Sequence, residues 1–190
     1  RCAALSGHGN AVMAFCDSRA IDAHGATTMA SYKPYYAQSI DGVLDHDGLH
    51  ESRRFVQECL SERNLILNVS AAVFSREALR QALERCGPDL DTLRVAGDWR
   101  IYLEMLLGPN AHIAYVAEPL NIHRRHETSA THTLAQEEHL REIAQVQDLV
   151  ARAFPTDVAL AARQNAYRHA LIRQFGLGPR KLSDISRETA

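Results

Sequence analysis

Apolar residues fall into short runs over the first two thirds of the chain and into a helical repeat over the last third. Asn10 to Phe15 (NAVMAF) predicts a short buried strand, ending where Cys16 and Asp17 restore polarity. Residues 26–50, with SYKPYY and DGVLDHDG, hold no stable period and predict a long surface loop. Glu51 to Leu60 fits a short helix with Phe55, Val56, Cys59 and Leu60 on one face. NLILNVSAAVF (64–74) is rich in apolar and β-branched residues and suits buried extended chain. Ser75 is placed to cap a helix carrying Leu79, Ala82, Leu83 and Cys86, which Gly87-Pro88 ends.

After a loop over 88–96, Trp99, Leu103, Leu106 and Leu107 mark the buried side of another helix, stopped by Gly108-Pro109-Asn110. His112 to Val116 reads as a strand that Glu118-Pro119 breaks, and Leu120 to Ile122 resumes an extended path. His123-Arg124-Arg125-His126 and a polar loop, ETSATHT, follow. From Leu134, the positions Leu140, Ile143, Gln147, Val150 and Phe154 keep a helical repeat up to Pro155. Thr156 or Asp157 then caps a second helix reaching about Phe175. Residues 180–190 read as a frayed polar tail. The pattern divides the chain near residue 133, with mixed strand and helix over 1–133 and a helical extension with a polar tail over 134–190.

Composition narrows the classes. The chain has 190 residues, 46% apolar and 23% charged, as in an ordinary globular domain. A net charge of −2 and the lack of a basic run give no field for nucleic acid. No apolar stretch approaches the ~20 residues of a membrane span, and the opening RCAALSGHGN has no hydrophobic core of a secretion signal. The four cysteines form no C-x-x-C pair, which points to reduced thiols in a cytoplasmic protein. The chain does not begin with Met, so it is expected to be either processed or part of something longer.

Chemistry concentrates in two stretches. Asp98, in Gly97-Asp98-Trp99, stands at a helix start. There it either caps the helix or serves as a base toward a hydroxyl, with the helix terminus expected to keep its pKa low. His123-Arg124-Arg125-His126 either forms a solvated basic loop or supplies an imidazole ligand and guanidinium groups for a diphosphate. Asp17 and Asp22 fit strand-end turns better than a cation site, and DGVLDHDG does not match an EF-hand. His132 and His139 read as surface residues.

In this order the segments AFCDSRAIDAHG with SYKPYY, NLILNVSAAVFSREAL, RVAGDWRIYLEMLLG and HIAYVAEPLNIHRRHETSATHT resemble the later part of a glycosyltransferase family 2 domain. The likeness is to bacterial O-antigen and rhamnan-type polysaccharide transferases, and it covers about residues 10–133. It implies a partial GT-A (nucleotide-diphospho-sugar transferase-like) α/β fold with a mixed sheet. It implies sugar transfer with inversion from a nucleotide-sugar donor to a glycan or lipid-linked glycan acceptor. Asp98 matches the family's base, and Gly97 and Trp99 lie on its acceptor side. Arg124 and Arg125 fall near the leaving diphosphate, and His126 matches a ligand of a Mg or Mn ion. Such an enzyme belongs in the cytoplasm or peripherally on the inner face of the membrane. Asp17-Ser18-Arg19 is not the family's DxD, so the resemblance implies a piece lacking the donor-binding half. Two other classes stay open. One is a non-catalytic acceptor-binding or interaction module. The other is a His-rich metal hydrolase, which no H-E-x-x-H motif supports.

Overall fold

The computed structural model describes residues 10–38, 40, 42–125 and 135–178. The loop at the start, His126, His132 with the ETSATHT loop, and the polar tail lie outside them. The architecture is mixed α/β. Five strands form one mixed sheet: β1 (Ala11–Ile21), β2 (Thr27–Met29), β3 (Gly48–Glu51), β4 (Ala72–Phe74) and β5 (His112–Arg124). β1 and β5 run parallel down the middle. β3 pairs antiparallel with the start of β5, while β4 and β2 pair antiparallel with opposite ends of β1.

Both central strands outrun the sequence expectation. β1 continues through Asp17 and Ser18 because these polar residues find partners inside: the Asn121 amide donates to Ser18 Oγ at 3.0 Å, and Asp17 is fully buried. Glu118-Pro119 does not break β5. Cys16 faces Val116 and Ser18 faces Asn121, so the extra residues of β5 bulge outward. At that bulge the Ala117 amide donates to Asp47 Oδ1 at 2.7 Å.

The segment 26–50 is more ordered than the predicted loop. It contains β2, the helical turn α1 (Lys33–Tyr36) and β3, and it buries Tyr32, Tyr36, Ile40 and Leu44. Aromatic side chains at irregular spacing here serve the core, which periodicity cannot register. α2 (Ser52–Phe55) opens on Glu51, whose carboxylate accepts from the Arg53 and Arg54 amides, and continues as a π-turn through Leu60. Its expected face, Phe55, Val56, Cys59 and Leu60, is buried. Of the extended stretch expected over 64–74, only β4 is strand. Asn68 Oδ1 accepts from the Ser70 amide and winds Val69–Ala71 into a 3₁₀ turn.

α3 (Arg76–Cys86) is capped by Ser75, and Gly87, at φ +57°, ends it. Leu83, expected inside, is 42% exposed. α4 (Gly97–Leu106) buries Trp99, Tyr102, Leu103, Met105 and Leu106. α5 (Gln136–Ala153) and α6 (Val158–Gln174), the latter capped by Asp157, complete the chain. Leu140, Ile143, Val146, Val150, Leu160 and Leu171 of this pair belong to the same continuous core as Phe15, Leu103 and Tyr115. Among the described residues no helix is long and apolar enough to cross a membrane.

Candidate functional site

A cavity of about 280 Å³ opens where α4 meets the segment 63–67, α1 and the C-terminal helix pair. Asp98, Trp99, Arg63, Asn64, Tyr35, His139 and Tyr167 are among its walls. It is built from backbone outward. Three consecutive carbonyls before Arg63 are each claimed by a different helix. The Trp99 indole donates to Leu60 O at 3.1 Å, the Gln164 amide to Ser61 O at 2.9 Å and the Gln147 amide to Glu62 O at 2.7 Å. Arg163 adds an ion pair to Glu62 at 3.0 Å. This segment is therefore fixed without sheet pairing, and Arg63 and Asn64 leave it at a set angle to the cavity.

The second wall is set by Glu142 of α5, which is 4% exposed. Its carboxylate accepts from the Arg94, Val95 and Ala96 amides at 2.8, 2.8 and 3.0 Å. Ala96, at the N-cap of α4, offers no side-chain acceptor. Glu142 supplies that service from another helix. The loop entering α4 is thereby held, and Asp98 in the first turn faces the cavity.

Asp98 Oδ1 accepts from the Trp99 amide at 2.7 Å, and the Asn64 side chain also hydrogen-bonds to its carboxyl. Burial outweighs these contacts and lifts its pKa from the ordinary 3.8 to about 6. The expectation of a low pKa at the helix start is thus corrected: removal from water dominates. His139, on the same cavity, has its pKa lowered by burial, against the opposing charge of Glu142. Trp99 is 1% exposed and anchors the floor. Gly97 is not among the lining residues. A Cβ there would meet Leu90 and Leu93 at 3.6 and 3.8 Å.

The basic stretch lies at the end of β5. Arg124 is exposed and donates to Ala23 O at 2.9 Å, and the Arg125 amide donates to Ile21 O at 2.8 Å. His123 Nδ1 is 3.0 Å from the Tyr32 hydroxyl. Tyr32 and Tyr35 stack edge to face at 6.4 Å on α1, and Tyr35 lines the Asp98 cavity. The tyrosine turn therefore lies between His123 and the Asp98 cavity. Asp22 does hold a turn at the end of β1, whereas Asp17 stands within the strand rather than at its end. Asp17 anchors Ser31 and Tyr32, and Asp22 Oδ1 accepts from the His24 and Ala26 amides at 2.9 Å.

For a divalent cation, the described residues include no group of three His, Cys, Asp or Glu side chains that could hold one. His126 lies outside the described residues. Sequence reasoning missed Arg63, Asn64, Tyr35, Glu142 and Tyr167. Glu142 carried a signal: a charged residue four positions before Val146, on the apolar side of its helix. No family model, curated protein or solved structure matches this chain.

Proposed function

We propose that this chain is the acceptor-side part of an inverting glycosyltransferase with a GT-A-like fold, working in bacterial surface polysaccharide synthesis. The carrying observation is Asp98: a carboxylate at a fixed helix start, lining a cavity, with a pKa of about 6. At neutral pH such a group is largely ionised yet basic enough to accept a proton, the condition for a general base. The acceptor hydroxyl would pass its proton to Asp98 as its oxygen bonds to the anomeric carbon of a nucleotide-sugar. The bond from that carbon to the diphosphate breaks on the opposite face, and the nucleoside diphosphate leaves with the electron pair.

Trp99 holds the floor of this acceptor site through its indole hydrogen bond, and Gly97 stays on the acceptor side only as the resemblance implies. In the proposal Arg124 and Arg125 lie toward the leaving diphosphate, with the α1 tyrosines between them and the cavity. A Mg or Mn ion with His126 remains part of the expectation from the resemblance, and no step here runs through it.

The test is turnover by Asp98→Asn in the intact parent polypeptide. The readout is nucleoside diphosphate released from a panel of nucleotide-sugars with a glycan acceptor. A fall of roughly 10²–10⁴-fold with an unchanged thermal transition is expected. Wild-type turnover in the variant ends the base assignment. Glycan binding with no affinity for nucleoside diphosphate and Mn would favour the non-catalytic acceptor module.

A further inference from the structure

Arg63 has an unusual position for a charged side chain. Its guanidinium is held between two aromatic rings, 5.2 Å from the centroid of Tyr35 and 5.5 Å from that of Tyr167. It forms no ion pair with any described residue, and its Nε is buried without a hydrogen-bond partner. No ion pair joins it to Asp98, although both line the same cavity. Glu62 is engaged by Arg163, and Glu142 by three backbone amides. His139 is biased toward its neutral form by burial. A guanidinium that stacks on two rings, lines the cavity and pairs with no described carboxylate is set up for an oxyanion from outside the chain, which its N–H donors can grip.

The cavity size limits what carries that anion. About 280 Å³ sits at the foot of the ~300–1,000 Å³ range of small-molecule sites and suits one sugar residue rather than a nucleotide-sugar. We infer that the site takes a saccharide bearing an anionic substituent, a carboxylate or a phosphate, with Arg63 binding the oxyanion while a hydroxyl of the same sugar lies at Asp98. This rests on the acceptor-site reading of Asp98 and adds the chemical class of the acceptor. Tyr35 and Tyr167 are positioning residues here. They hold the guanidinium flat and keep water off its faces.

The experiment titrates the purified chain with glucuronate, glucose 6-phosphate and glucose, followed by calorimetry and by the Arg63 Nε–H resonance, identified by its loss in Arg63→Lys. At least one anionic sugar should bind ten-fold or more tightly than glucose and shift that resonance saturably. The tighter of the two identifies the substituent as carboxylate or phosphate. Arg63→Gln should lose the preference, and Asp98→Asn, which removes a negative charge from the same cavity, should keep or raise it. Equal binding of all three sugars, no saturable binding by either anionic sugar, or an unmoved Nε–H overturns the inference. If Arg63→Gln does not fold, the wild-type preference and the resonance still decide. Failure of the base assignment reads differently: Asp98→Asn would turn over normally while the anionic preference stood.

Discussion

Two aspartates in this chain begin from similar sequence settings and end in opposite physical states. Asp17, near the middle of β1, is fully buried, and its carboxylate accepts three hydrogen bonds. Oδ1 accepts from the Ser18 and Tyr32 amides at 2.7 and 3.1 Å, and Oδ2 from the Ser31 hydroxyl at 2.5 Å. Asp98, at the start of α4, keeps some exposure through its cavity, yet burial dominates its hydrogen bonds and raises its pKa. A carboxylate that ties separate segments of its own chain together through both oxygens is architecture. One removed from water without full compensation holds free energy that a ligand or a proton can release.

The strongest way to break this comparison is to remove each carboxylate. Asp17→Ala strands two backbone donors and a hydroxyl in the interior and should cost about 3 kcal/mol in urea unfolding. Asp98→Asn keeps the shape and removes a desolvated charge, so its stability should stay within about 1 kcal/mol of wild type or rise. Equal costs at the two sites would dissolve the distinction.

A smaller effect tests whether the C-terminal helix pair builds the cavity or merely covers it. Glu142→Gln replaces a charge-assisted acceptor of three amides by a neutral one and should cost about 2 kcal/mol. The local signature is amide exchange. Arg94, Val95 and Ala96 should exchange at least ten-fold faster, while the protected amides of β1 and β5 fall only by the global loss. Uniform loosening across the chain would mean that Glu142 contributes packing alone.

What the sequence disclosed follows from the same contrast. Apolar periodicity announced α3, α4 and α5, since each buries a stripe at helical spacing, and α6 was announced by its cap at Thr156 or Asp157. The Gly97-Asp98-Trp99 segment was legible because a helix start next to a loop leaves a local signature. The lengths of β1 and β5 were not legible, since they depend on polar pairs such as Ser18 with Asn121, 103 residues apart. Nor was the cavity. Arg63 owes its orientation to three carbonyls satisfied by Trp99, Gln147 and Gln164, all distant in sequence. Tyr32 and Tyr35 read as loop residues because a four-residue helical turn has too few positions to show a period.

The most delicate prediction concerns pH. The folded state holds the Asp98 proton more tightly than the unfolded chain, because burial lifts its pKa from 3.8 to about 6. The stability this lends is complete below about pH 4 and is lost as pH rises through about 6. Water in the cavity moderates the effect to about 1 kcal/mol. His50, His123 and His139, whose pKa values burial lowers, act in the opposite sense, since their folded forms resist protonation as pH falls. The quantity to measure is therefore the difference between wild type and Asp98→Asn in urea unfolding from pH 4 to pH 7, which cancels the histidines. Wild type should lose ground to the variant steadily across that interval. In the transfer assay the sign reverses. Only the ionised carboxylate accepts a proton, so kcat/KM should climb over the same range in which Asp98 weakens the fold. A wild-type–variant difference that does not change with pH would overturn the raised pKa of Asp98 and the base role drawn from it.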